Sequence, residues 1–518
     1  MSGEGSLRDV MMRASALMLA FLLASRLMGY LFHLVFANFF TKDVYGTFVF
    51  VWSLGLFLTG LMPNVPSAVS RYVAFYRGRK DRRKVESTIR TGIYLNTAVL
   101  GVFLMAYSLI YFSGLLRVGV DFSSYLFLIS VVVLTSYVCL FGGIITGYRK
   151  PEVTSFMNLI QNVLRLFAVA AAVLLASSLH GVMAFVALAY LIYAVFLASY
   201  EFRRYGFGSS CDGVLLRRLF GFGVFNVFYE TANNLFSWAN IFLLQFFLGS
   251  AVVAVYNVSW LASTLSLIFF TAVLQIFTPV VTEMFGSKSY DRISYVTSYL
   301  LESFFLLFLP VFAAIMLFSR EILTLFFAEG YAHGAGSMQV LSLSAFFFGI
   351  GQLFIYLVNA EGRPGVNARN IGLGAVLNVA LSLALIPSYG MEGAAVATLL
   401  ASVLILLLSY NHVRGVVPLA YSPWRVAKVV ASTVMSVAAV YAVKTVVKTV
   451  VESSIVSLVL SSASLLMVYA LLLLALKSLR AEDVMLVSAF LEKVGVPAGL
   501  RGGVSKVLEC GVQPSTSR

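Results

Sequence analysis

Hydrophobic and polar positions alternate along this chain in long blocks. Apolar runs of about twenty residues, enough to cross a hydrocarbon core ~30 Å thick at 1.5 Å rise per residue, are divided by short turns rich in Arg, Lys, Gly and Asp. About fourteen such runs are present. They begin at Ser15, Thr47, Thr91, Tyr125, Thr154 and Val182, then at Phe220, Val252, Ser294, Met338, Ile371 and Ala394, with a last pair near Val429 and Ser454. No connection approaches the ~50 residues a separate folded domain needs. The pattern predicts an all-α polytopic membrane protein.

A finer pattern lies inside three of the runs, where polar side chains recur at helical spacing. In the first, Arg26, Tyr30 and His33 share a face. In the fifth, Asn158, Gln161, Asn162 and Arg165 do the same, and in the seventh Asn226, Glu230, Asn233 and Ser237 form a stripe beside Asn234. A mid-span arginine facing lipid would cost roughly 2.5–3.5 kcal/mol, so Arg26 and Arg165 are expected to face protein or water. Both readings of each group stay open here: the arginines as anion holders or as structural cations, Glu230 as an ion-coupling site or as half of an ion pair. The amides Asn162, Asn233, Asn234 and Asn378 serve either a cavity wall or interhelical hydrogen bonds. His33 is equally consistent with an ordinary hydrogen-bonded side chain. Pro63, Pro66, Pro279 and Pro310 are expected to kink their spans.

The runs also repeat. Arg149, Lys150, Pro151 and Val153 reappear as Gly362, Arg363, Pro364 and Val366, and Val163, Leu164 and Arg165 as Val376, Leu377 and Asn378, at one offset of 213 residues (364 − 151 and 378 − 165). Gly181 and Gly393 then match at 212 (393 − 181), the slip a single turn insertion produces. A duplicated membrane protein is how secondary transporters build a central substrate site. The predicted organisation is a six-helix lobe over 1–205, a second over 206–415, an added helix pair over 416–480 and a cytoplasmic tail over 481–518. Arg165 and Asn378 occupy the same repeat position, so anion binding is expected in the first lobe. The tail residues Val484, Met485, Val487, Leu491 and Val494 allow a short interfacial helix and equally an ordinary solvated one.

Composition agrees with a lipid environment: 60% hydrophobic residues, 11% charged residues and a mean hydropathy of +0.94. The net charge of +14 is mostly topological. With the N-terminus inside, the inner turns receive Arg77, Arg79, Lys80, Arg82, Arg83 and Lys84, then Arg149, Lys150, Arg203, Arg204, Lys288, Arg363 and Arg425, among others. The outer turns receive only Lys42, Arg117, Arg320, Lys444 and Lys448. Both termini are then cytoplasmic, and the basic run 77–84 reads as a contact with anionic lipid head groups, not with nucleic acid. The apolar run after Arg13 passes Phe36 without a cleavage pattern and reads as a retained span. Cys139, Cys211 and Cys510 suggest no disulfide pair.

The set comprising Asn359-Ala360-Glu361-Gly362-Arg363-Pro364, the run from Leu377-Asn378 to Ile386-Pro387, and Gly390-Met391-Glu392-Gly393-Ala394-Ala395 resembles polysaccharide-biosynthesis flippases. These are the Wzx-type members of the multidrug/oligosaccharidyl-lipid/polysaccharide exporter superfamily. Ser25-Arg26-Leu27-Met28-Gly29 and Asp43-Val44-Tyr45-Gly46 are similar to that family's first span and turn. The resemblance covers the first twelve spans.

It implies two six-helix lobes around a cavity and alternating access that moves a lipid-linked oligosaccharide across the cytoplasmic membrane, its polyprenyl tail staying in lipid. The implied partners are that cargo, membrane lipids and the glycosyltransferases or polymerase of the same pathway, with the protein a monomer. The expected anion-holding residues are Arg26, Arg165, His33, Tyr30, Asn158, Gln161 and Asn162. The second-lobe residues are Glu230, Asn226, Asn233, Asn234 and Asn378. A multidrug exporter or a peptidoglycan-precursor flippase of the same superfamily is the alternative. A membrane glycosyltransferase or polymerase would want clustered carboxylates and a large external loop, and neither occurs. No phosphate-binding G-x-x-x-x-G-K-[ST] loop is present, so no cofactor is expected, and movement would draw on H+, Na+ or the cargo gradient.

Overall fold

The computed structural model describes residues 2–114, 121–205, 211–450 and 454–485, with a few isolated positions of the tail. Arg117, Val487, Leu491, Val494 and Cys510 lie outside the described residues. The first half forms α1 (Ser2–Phe39), α2 (Lys42–Gly60), α3 (Val65–Gly78), α4 (Arg82–Phe112), α5 (Phe122–Gly147), α6 (Pro151–Leu174) and α7 (Leu179–Tyr205). The second half forms α8 (Gly213–Leu248), α9 (Ser250–Thr264), α10 (Leu267–Gly286), α11 (Tyr290–Leu317), α12 (Ser319–Phe326), a 3₁₀ turn (Glu329–Gly334), α13 (Ala335–Ala360) and α14 (Pro364–Arg414). Finally come α15 (Pro423–Val450) and α16 (Ser454–Ala475). The acidic residues between helices act as caps: Asp81, Asp121 and Asp212 accept from the amides of Lys84, Ser124 and Val214.

Among the described residues, 12 helices are long and apolar enough to cross a membrane. The expected count of about fourteen differs for physical reasons. The amides of α8 lower its hydropathy, and α14 carries two of the expected spans in one run of 51 residues; the eighth span is counted through α10, since α9 has only 15 residues. That run bends at Gly390, whose φ of 59° and ψ of −137° suit glycine alone. The second span is likewise broken, between α2 and α3, where Pro63 and Pro66 end one helix and start the next. In the eighth span the break falls at 265–266, not at Pro279, which lies inside continuous α10; Pro310 lies inside α11.

The repeat seen in the sequence is also a repeat of backbone. Arg149 has φ 55° and its amide donates to Thr146; Gly362, 213 residues on (362 − 149), has φ 85° and donates to Asn359. In each copy a proline then opens the next helix.

The halves meet most tightly at the end of the molecule where α1 turns into α2. There Gly46 lies so close to the Ser250 carbonyl that no Cβ fits, and the Thr47 hydroxyl donates to Ser250 Oγ at 2.9 Å. Asn38 Nδ2 donates to the Phe326 carbonyl at 2.8 Å, and Lys42 Nζ to that of Gly330 at 2.6 Å. One buried cluster, with Phe36, Tyr45 and Phe48 from the first half and Val253, Tyr256 and Met338 from the second, runs through this seal.

Candidate functional site

Beyond the seal, α1 and α6 pack side by side and form one wall of a cavity of about 530 Å³. The helical stripe of α6 puts Asn158, Gln161, Asn162 and Arg165 on the face that meets Arg26, Tyr30 and His33 of α1, and all seven line this cavity. Ser25 and Gly29 allow the close approach: Asn162 Nδ2 donates to Ser25 Oγ at 2.9 Å, and Gly29 lies directly beneath the Asn162 amide. The facing wall comes from the other half, with Trp260, Leu261 and Thr264 of α9, Ile268 and Thr271 of α10, and Phe348 of α13. It is largely apolar. The α9 and α10 residues of this wall carry no mark in the sequence, because the helix break between them contains neither Pro nor Gly.

The two arginines are held differently. Arg165 lies with its guanidinium carbon 4.3 Å from the Phe32 ring centroid and 5.0 Å from that of Trp52, and its Nη1 donates to Asn162 Oδ1 at 3.3 Å. Two ring faces and an amide orient the cation without neutralising it. Its buried Nε has no hydrogen-bond partner. Arg26 is exposed to the cavity. Neither arginine joins an ion pair among the described residues, so the wall keeps two cationic forks free for an anion.

His33 is fixed from outside the cavity. Its Nδ1 lies 3.0 Å from the Tyr45 hydroxyl, which in turn accepts from Asn257 Nδ2 of the second half at 2.7 Å. Tyr45 and Asn257 are both buried; Tyr45 belongs to the Asp43-Val44-Tyr45-Gly46 turn, whereas Asn257 carries no sequence signal that separates it from core packing.

The second-half residues do not join this cavity. Glu230 and Asn234 line a separate chamber of about 430 Å³ behind the α2–α3 break, where Glu230 Oε1 accepts from Asn64 Nδ2 at 3.2 Å. Asn226 borders an adjoining outer cleft of about 740 Å³ that also reaches Glu230. The reading of Glu230 as half of an ion pair is not the arrangement seen among the described residues: its side-chain partner is Asn64. Asn233 is half-buried and lines none of these three spaces. Asn378 is fully buried, donates to the Phe236 carbonyl at 3.3 Å and accepts from Ser382 at 3.4 Å. It belongs to a neutral network with Asn240, Tyr256 and Thr398 that joins α8, α9 and α14. The repeat position that is cationic in one half is thus an interhelical tie in the other.

The family model described as polysaccharide biosynthesis protein matches residues 12–285, more than half of the chain. The chain belongs to the polysaccharide biosynthesis protein family. A second model, MatE, matches residues 227–384. Among curated relatives, the probable low-salt glycan biosynthesis flippase Agl15 of Haloferax volcanii is 23% identical over 380 residues, which cover 71% of this chain and 78% of that protein. Two solved structures share the fold at a TM-score of 0.66. One, an inward-facing multidrug resistance MATE family transporter of the MOP superfamily, is 13% identical and aligned over 78% of this chain and 95% of its own. The other, the lipid II flippase MurJ in an inward closed conformation, is 12% identical over 86% of this chain and 96% of its own. This member of the family is therefore an all-helical, multi-pass membrane transporter with the MOP-superfamily fold, and not an enzyme.

Proposed function

We propose that this polysaccharide biosynthesis protein flips a lipid-linked oligosaccharide, joined to a polyprenol through one or two phosphates, across the cytoplasmic membrane by alternating access. The observation that carries the reading is a cavity wall with two arginines and no carboxylate to neutralise them. The phosphate of the cargo would sit between Arg26 and Arg165, where bidentate guanidinium contacts favour a tetrahedral oxyanion. Asn158, Gln161, Asn162, Tyr30 and His33 would hydrogen-bond the sugar, while the tail remains in lipid. A cationic drug would find no acidic partner on this wall.

The distribution of Lys and Arg supports cytoplasmic termini, and two halves in one chain are sufficient for a complete cavity, which favours a monomer. Glycosyltransferases or a polymerase of the same route would supply and consume the cargo. Transport would draw on an ion or cargo gradient, with Glu230 as the coupling group in its separate chamber. The test is a side-by-side measurement in proteoliposomes of lipid-linked oligosaccharide flipping, lipid II flipping and cationic-dye efflux. Oligosaccharide flipping is expected; dye efflux without it overturns the reading, and lipid II flipping alone reassigns the cargo to a peptidoglycan precursor.

A further inference from the structure

The chain of hydrogen bonds behind His33 has a fixed direction. An amide NH2 can only donate, so Asn257 Nδ2 gives its proton to the Tyr45 oxygen at 2.7 Å. The hydroxyl proton of Tyr45 then needs an acceptor. Among its hydrogen-bonded partners only His33 Nδ1, at 3.0 Å, offers a lone pair. His33, which lines the cavity, is therefore the neutral tautomer with its proton on Nε2, the nitrogen that Tyr45 does not engage. Buried chains of this kind strengthen each member by polarisation, and Tyr45 and Asn257 are 0% and 5% exposed.

The chain also crosses the molecule. Its first member lines the cavity, its second begins α2, and its third lies on α9, so it passes through the seal that closes the α1–α2 end. We propose that Tyr45 and Asn257 are positioning residues for the cavity: they present His33 Nε2–H to an oxyanion or sugar oxygen, and they tie the state of the cavity to the α2–α9 seal. This rests on the cavity being the cargo site. An occupant that pulls the His33 ring toward the arginines stretches the link by which the cavity-lining face of α1 reaches the seal. Opening of the seal in turn releases His33 and weakens the hold on the occupant, the reciprocity that alternating access requires.

The test uses the full-length protein with Cys139, Cys211 and Cys510 replaced by Ser and Val253→Cys added as a reporter, since Val253 is fully buried in the seal. Labelling by a water-soluble maleimide reads seal opening, and binding of farnesyl diphosphate reads the cavity. Tyr45→Phe and Asn257→Leu should each raise the labelling rate about fivefold, the factor lost with one hydrogen bond. The pair should label no faster than Tyr45→Phe alone, because both act on one chain. Asn257→Leu should also weaken farnesyl diphosphate binding about fivefold although Asn257 does not line the cavity. Thr47→Val, which loosens the seal without touching the chain, should leave that affinity unchanged. Unaltered labelling in Tyr45→Phe, independent effects that multiply in the pair, or equal loss of affinity in Thr47→Val would each overturn the proposal. If the parent protein binds no farnesyl diphosphate, the cargo reading fails while the labelling arm still decides whether the chain holds the seal.

Discussion

An anion site needs a guanidinium that is held in place without being neutralised. Arg165 is oriented by two aromatic faces and one amide, which a lysine cannot reproduce because its ammonium has no flat face to stack. Arg165→Lys is therefore expected to insert and fold but to lose about 10–100-fold in flipping, the range for a charge-assisted hydrogen bond. Arg26→Ala should lose a similar factor with no loss of thermal stability, since Arg26 is exposed to the cavity and joins no ion pair among the described residues. Normal flipping by both variants in proteoliposomes would make the arginines structural. Glu230→Gln should leave cargo affinity intact and change the dependence of flipping on pH or sodium; an unchanged profile removes it as a coupling group. The polar faces of α1 and α6 were legible in the sequence because charged and amide side chains stand out in an apolar run. Phe32 and Trp52 were not, since an aromatic residue that boxes a cation reads the same as one facing lipid.

Among the helical elements, duplication was readable and breakage only partly so. The break between α2 and α3 announces itself through Pro63 and Pro66, whereas the one between α9 and α10 is imposed by packing and leaves no mark at 265–266. The seal was equally silent. Gly46 looks like any helical glycine until the Ser250 carbonyl is seen against it. Gly46→Ala should force α2 from α9 and lower thermal stability by about 1–3 kcal/mol, the range for overpacking a close contact. Gly101→Ala is the control: Gly101 lies in α4 with nothing within 4 Å of a new Cβ, so the substitution should raise helix stability by about 0.5–1 kcal/mol. Equal melting temperatures for the two variants in detergent would remove the close approach as a feature of the seal.

For the molecule as a whole, the least legible part of the fold is the attachment of its last two helices. By sequence, Arg425 counted as one more basic residue in an inner turn. In the structure it is 2% exposed and donates to Glu302 of α11, to Asp483 of the tail and to the Ser478 carbonyl, while Arg480 pairs with the same Glu302 at 2.8 Å. Glu302 and Asp483 stand 123 and 58 residues from Arg425, so no local pattern could have joined them. Two cations and two anions make a neutral quartet that fastens α15, α16 and the tail to α11. Breaking a buried pair on one side leaves an uncompensated charge, typically at a cost of about 3–5 kcal/mol, whereas removing both signs together is far milder. Arg425→Met should therefore lower the melting temperature sharply, and Asp483→Asn in the same chain, which leaves Glu302 paired with Arg480, should recover much of the loss. Because none of the four lines the arginine cavity, flipping per folded molecule should stay near the parent value at a temperature where Arg425→Met remains folded. A melting temperature unchanged by Arg425→Met would mean that the added helices are held by apolar packing alone. A stable variant that no longer flips would mean that the clamp on α11 acts in transport itself.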